Sequence, residues 1–232
     1  RRMSTVDYQL NSGIATLTLS NGKVNALSPE VIAELHQALD RAEQDKAVVV
    51  LTGQAGIFSA GYDLRVMQAS LDSARGLVEL GSTLCQRLLM HPYPVVMACS
   101  GHAVAKGAFL LLCADYRIGV SGDFQLGLNE VRIGMPMHAA GICLAQGRLV
   151  PSFVQRAVIN AEMFSPSVAV TAGFLDEVVN PEQLMVRAQH VAQALSQLNQ
   201  PAMHVTKRTI RADWLNKLAA AIEQDRHYVG VE

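Results

Sequence analysis

The chain of 232 residues sets 19 Lys and Arg against 20 Asp and Glu, a formal net charge of −1, and half of its residues are apolar. That length and composition suffice for one substantial core, while the near-neutral charge and the lack of a basic run exclude the electrostatic footprint of a nucleic-acid binder. The longest apolar stretches, 109–113 and 95–99, fall far below the roughly 18–20 residues that span a bilayer.

Arg1 and Arg2 precede Met3, and neither an apolar segment nor an Arg- and Ser-rich presequence follows, so a cytoplasmic protein is expected. Residues 14–19 alternate apolar residues with Thr and predict a strand. Ser28-Pro29-Glu30 then supplies an N-cap, a proline at the first helical position and an acid in the first turn. Ile32, Leu35, Leu39 and Ala42 follow at helical spacing. The short apolar run 48–51 suits a strand covered on both faces. A second unit repeats the pattern, with 95–99 as strand, 107–114 as an apolar helix and 116–120 as strand. Strands alternating with helices predict α/β layering.

Between these units, residues 62–87 are small, polar and weakly patterned, and read equally as a mobile flap or a surface helix. From about Glu182 the pattern turns helical and ends with Trp214, Leu215, Leu218 and Ile222 on one face. That apolar face predicts association, because a lone domain would leave it partly exposed. Cys85, Cys99, Cys113 and Cys143 are far apart in apolar surroundings, without a CxxC pair, and read as reduced core thiols. The seven histidines show no HxxxH or HExxH spacing, so no metal site is expected.

Two segments carry the chemistry. Phe58-Ser59-Ala60-Gly61-Tyr62-Asp63-Leu64 and Gly101-His102-Ala103-Val104-Ala105-Lys106-Gly107 are small-residue turns, each between a predicted strand and a helical stretch. Each can aim backbone N–H groups at one ligand oxygen, and together they suggest an oxyanion hole. Asn25-Ala26-Leu27, these two turns, Cys113-Ala114-Asp115-Tyr116-Arg117-Ile118, Gly127-Leu128-Asn129-Glu130 and Ala172-Gly173-Phe174-Leu175-Asp176 occur in an order and at separations that resemble the crotonase (enoyl-CoA hydratase/isomerase) superfamily. The resemblance spans nearly the whole chain, and its local strings look most like the Δ3,Δ2-enoyl-CoA isomerases.

The resemblance implies a spiral of ββα units over 1–181 and a C-terminal helical region over 182–232 used for trimer contacts and for covering the acyl-CoA site. It also implies a homotrimer or hexamer, and no cofactor apart from the coenzyme A of the substrate. It places the oxyanion donors at the N–H groups of Ala60 and Lys106 and the acid/base at Glu130. Hydratases of the superfamily carry a second glutamate where this chain has Phe109, which favours a proton shuttle over hydration. For substrate binding it points to Ala60, Asp63 and Leu64 at the nucleotide end and to Lys23 and Val24 along the pantetheine. Tyr62, Met67, Met135 and Met137 are candidates for the acyl tunnel. Lys106 replaces the glycine of most relatives, and its side chain could reach a CoA phosphate or a carboxylate, or be a solvated or locally paired lysine. His138 receives no role. The competing expectations are a hydratase or another enolate-using CoA enzyme, and an acyl-CoA-binding protein without catalysis.

Overall fold

The computed structural model describes residues 4–230. Strands β1 (Val6–Asn11) and β2 (Ile14–Leu19) form a hairpin. Its two-residue turn, Ser12 and Gly13, has φ of 50° and 76°, the positive values that match the twist of a tight hairpin. Helix α1 (Pro29–Gln44) then begins as its sequence predicts, with the Ser28 hydroxyl accepting from the Val31 N–H at 3.2 Å. Its buried stripe of Val31, Ile32, Leu35, Ala38, Leu39 and Ala42 faces the sheet.

From here the chain lays one strand in each of two sheets per turn. Strand β3 (Val48–Thr52) is followed within a few residues by β4 (Gly56–Ser59), then by helices α2 (Leu64–Ala69) and α3 (Leu71–Met90). Strands β5 (Val95–Ala98) and β6 (Gly101–Val104) repeat the step and lead into helix α4 (Lys106–Leu111). Strands β7 (Tyr116–Val120) and β8 (Leu126–Gly127) repeat it again, before helices α5 (Ala139–Arg148) and α6 (Pro151–Val158). Strand β9 (Met163–Phe164), helix α7 (Pro166–Ala172) and strand β10 (Glu177–Val179) complete the spiral. One sheet has the order β1-β2-β3-β5-β7-β10, parallel from β2 onward, and the other β4-β6-β8-β9. The ββα spiral expected from the resemblance is the observed architecture.

Strand β3 is buried along its whole length. Val49 and Leu51 join the core beneath α1 and α3, whereas Val48 and Val50 join a second core on the opposite face. That second core is closed by Leu184, Ala188, Val191 and Ala192 of helix α8 (Leu184–Ser196). The boundary expected near 181 is thus no break in packing, since the first helix beyond it roofs the six-stranded sheet. Helices α9 (Gln200–Ile210) and α10 (Ala212–Arg226) follow.

Within residues 62–87, ambiguous in sequence, 64–69 and 71–87 are helical, with Ser70 between the two helices. The Ser70 hydroxyl caps α3 by accepting from the Ser73 N–H, and Leu77, Leu84, Cys85, Leu88 and Leu89 form its buried face. The apolar face of α10 is covered only in part. Leu218 and Ile222 are buried, and the Trp214 indole donates to the Cys143 carbonyl at 2.9 Å while lying over Gly147. Helices α5 and α3 cover Leu218 and Ile222 within the chain, while Trp214 and Leu215 stay half-buried. Among the described residues, no helix is long and apolar enough to cross a membrane, and the four cysteines are free, three of them buried.

Candidate active site

Strands β4, β6 and β8 are adjacent and parallel, so their C-terminal ends lie side by side. The first turn leaves β4, the second leaves β6, and the loop carrying Glu130 leaves β8. This is how segments some forty residues apart in sequence reach one place.

Asn25, fully buried, fixes the first turn. Its side chain donates to the carbonyls of Leu19 (3.0 Å) and Phe58 (3.1 Å) and accepts from the Asn21 N–H (2.8 Å). Its own φ of 49° lies in the left-handed region that asparagine tolerates better than most residues. Ser59 donates to the Asn25 carbonyl (2.8 Å) and accepts from the Gly61 N–H (3.0 Å). A short ladder then joins the segment 24–27 to the turn: Ala60 N–H to Val24 O (2.9 Å), Leu27 N–H to Gly61 O (2.8 Å) and Asp63 N–H to Leu27 O (2.9 Å).

This ladder corrects one expectation. The Ala60 amide is consumed by Val24 and cannot serve as an oxyanion donor. The Tyr62 amide has no partner among the described residues. In the second turn the Lys106 amide is also without one, whereas Ala105 donates to Gly127 O at 2.9 Å. The two turns touch, since a Cβ built on Gly61 would lie 3.2 Å from the Lys106 nitrogen. Gly61 has φ +98°, so glycine is required there both for its backbone and for that approach. Tyr62 N–H and Lys106 N–H are therefore unpaired donors, one in each turn, among the described residues. Positive φ falls on Ala105 (53°) and not on Lys106, which opens α4. Because α4 has only six residues, individual amides outweigh any helix dipole here.

Glu130 is 7% exposed and its Oε1 has no hydrogen-bond partner among the described residues. Burial raises its pKa to about 7, opposed by its own backbone amide and by the Lys106 charge. The Tyr62 ring fits against α3 only because residue 81 is glycine, where a Cβ would lie 1.9 Å from the phenol oxygen. Burial pushes that phenol up to about 12, so it stays neutral. Phe109 is fully buried and stands edge-on to His138, with ring centroids 5.6 Å apart. Burial, followed by the Lys106 charge, lowers His138 to about 3. Its imidazole is neutral, and Nε2 has no partner among the described residues.

The Lys106 side chain meets neither a phosphate-bearing surface nor a hydrogen-bonded carboxylate. It is 1% exposed, and its Nζ donates to Cys85 Sγ on α3 at 3.0 Å instead of standing at the surface. The only sequence signal was the apolar company of 103–114. Lys23, Val24 and Leu64 are exposed, and the ladder sets Val24 beside Ala60. Asp63 caps α2 by accepting from the Arg65 N–H. Met137 converges with Phe109 and His138 on Gly141, whereas Met67 packs on the core. Met135 is tied by its amide to the Glu130 carbonyl.

A groove of about 460 Å³ opens elsewhere, between Asp115 and α9. Its polar groups are already satisfied: Asp115 accepts from Lys207 (2.7 Å), Arg211 (2.9 Å) and the Val95 amide (2.8 Å). It lacks the unpaired donors and the unpaired carboxyl found at the turns.

Several known proteins are similar to this chain along most of its length. A crystal structure of an enoyl-CoA hydratase/isomerase family protein from Pseudomonas syringae is 58% identical, with 97% of each chain covered and a TM-score of 0.96. The mitochondrial enoyl-CoA delta isomerase 1 of Mus musculus is 30% identical over 228 residues, 95% of this chain and 78% of that protein. A probable enoyl-CoA hydratase of Bacillus subtilis is 32% identical over 144 residues, 60% of this chain and 55% of that protein. Isomerases and hydratases thus both appear among the relatives. With the enoyl-CoA hydratase/isomerase pattern matching residues 9–230, the chain belongs to that family, whose members act on acyl-CoA thioesters.

Proposed function

We propose that this protein is an acyl-CoA isomerase that moves a 3-enoyl-CoA double bond to the 2-trans position. The observation that carries the reading is that Glu130 is a buried carboxyl while Phe109, at the position where the family resemblance puts a hydratase's second glutamate, is a fully buried aromatic ring. A thioester α-proton is weakly acidic, so its removal requires the developing enolate oxygen to be held. The amides of Tyr62 and Lys106 are free to do so, and one such fixed donor is typically worth about 3 kcal/mol of barrier.

In the proposed cycle the Glu130 carboxylate takes the C2 proton and the electron pair moves onto the thioester oxygen. The conjugated enolate spreads that charge to C4. Glu130 then returns the proton at C4, which leaves the double bond between C2 and C3 and the carboxylate ready again. One base on one face suffices. The CoA arm would follow the exposed edge formed by Lys23, Val24 and Leu64.

A base must be ionised to act, and burial raises Glu130 to about 7. The rate of 3-enoyl-CoA isomerisation should therefore rise with pH through an acid limb centred near 7, measured as kcat/KM between pH 5 and 9. A limb centred near 4.5, or no turnover of 3-enoyl-CoA at any chain length, would overturn the reading. Hydration as a main activity would have to enlist His138, whose neutral imidazole adjoins Phe109.

A further inference from the structure

Helices α3 and α4 meet in the interior through two nucleophilic side chains. Lys106 Nζ donates to Cys85 Sγ at 3.0 Å, and the two residues are 1% and 0% exposed. An ammonium has three donors, yet among the described residues Cys85 is its one hydrogen-bond partner. The Tyr62 and Phe109 rings flank it, with centroids 5.8 and 5.9 Å from Nζ. The Cys113 thiol and then the Lys106 charge lower the Cys85 pKa against the opposing effect of burial. Burial also acts against the charged lysine, but Cys85, Tyr62 and Cys113 outweigh it, so the amine keeps its proton. The pair is therefore a thiolate facing an ammonium, the nucleophilic form of a cysteine beside a ready proton donor.

We infer that Cys85 and Lys106 form a redox-modification site, at which one hydrogen peroxide joins Sγ to Nζ in a sulfenamide that ties α3 to α4. The thiolate sulfur attacks a peroxide oxygen and the O–O bond breaks. The departing hydroxide takes a proton from the Lys106 ammonium and leaves as water. Cys85 then carries a sulfenic acid, and beside it stands a neutral amine. The nitrogen lone pair attacks the sulfur, the S–O bond breaks, and the second hydroxide takes a proton from nitrogen. In all, thiolate, ammonium and one peroxide give a sulfenamide and two waters, the sulfur losing the two electrons that the peroxide oxygens gain. Sulfenic acids condense with nitrogen in this way when a nitrogen is at hand. Burial slows the first step, since only an oxidant near the size of water can enter, but it also selects the product. Glutathione and bulk water are kept out, so the sulfenic acid meets the amine before it can climb to the irreversible sulfinic stage.

Peptide mapping tests this on the full-length protein. Trypsin cuts after Arg75, Arg87, Lys106 and Arg117, which places Cys85 in 76–87, Cys99 in 88–106 and Cys113 in 107–117. The native protein is treated with hydrogen peroxide, denatured with a thiol-blocking reagent and digested without reductant. The expected product is 76–87 joined to 88–117, uncut at Lys106, with Cys99 and Cys113 both blocked as free thiols. Its mass is the sum of the two peptides less two hydrogens, and dithiothreitol separates them. Lys106→Met should lose this product entirely and carry Cys85 to the sulfinic acid at the same peroxide dose. A cut after Lys106 with 76–87 joined to 107–117 would mean a Cys85–Cys113 disulfide and would overturn the proposal. So would a wild-type Cys85 oxidised to the sulfinic acid with Lys106 free, or one left reduced at a dose that oxidises the half-buried Cys143. The wild-type map alone decides these outcomes, so a misfolded Lys106→Met would change none of them.

Discussion

Glu130→Gln should slow solvent deuterium exchange at C2 of a bound acyl-CoA ester by about 1,000-fold or more while leaving acyl-CoA affinity within a few-fold of wild type. General acid/base groups contribute about 100- to 10,000-fold, and a carboxylate that both takes and returns the proton belongs at the upper end. Glutamine keeps the size and one acceptor but cannot accept the proton. The same variant has a second readout with a definite sign. Glu130 has its pKa raised from 4.5 to about 7 by burial, so the folded state resists its ionisation. Below about pH 4.5 the group is protonated in both states and costs nothing. Above about 7 the folded protein holds a buried carboxylate, a penalty on the order of 3 kcal/mol. Glu130→Gln should therefore be more stable than wild type at pH 8 and equal to it near pH 4. Equal stability at both pH values, or exchange at the wild-type rate with binding intact, would remove Glu130 from the mechanism.

Gly107→Ala is expected to cost at least about 100-fold in kcat/KM, with a lower melting temperature. A Cβ at this position would lie 2.1 Å from the Ser59 carbonyl oxygen and 2.8 Å from its carbon. Both atoms are backbone, so the overlap is relieved only by moving α4 away from the end of β4. That movement separates the two turns whose amides are proposed to hold one oxygen, and a displacement of about 1 Å in such a constellation is enough for a loss of roughly 100-fold. Wild-type kcat/KM in a correctly folded Gly107→Ala protein would mean that the two turns do not act together.

The six-stranded sheet was largely legible because its elements carry strong local signals. Ser28-Pro29-Glu30 announces α1, and the hydroxyl of Ser28 makes the expected cap. The continuous run at 48–51 announces a strand with cores on both faces. The second sheet was hidden, since β4, β6, β8 and β9 have between two and four residues each, too few for any period to show. Helix α3 was obscured by the small residues that make it useful, for Gly81 admits the Tyr62 ring and Cys85 receives Lys106. At the site, the order of motifs identified the turns but could not say which amide each ladder consumes. That is why Ala60 had to give way to Tyr62, a difference set by the single hydrogen bond to Val24. The buried course of Lys106 is likewise a tertiary fact, because a lysine in a turn reads as solvated until α3 is packed over it.

The central claim is that a single carboxyl, Glu130, with Phe109 standing where a hydratase has its second, shuttles a proton instead of adding water. It is tested most directly by measuring kcat/KM for a 3-enoyl-CoA and for the 2-trans-enoyl-CoA of the same chain length in one preparation, following double-bond migration and hydration separately. The absence of a second acid/base group is worth about 100-fold or more against hydration, so isomerisation should exceed hydration by at least that factor. Hydration as fast as isomerisation, or faster, would contradict the account.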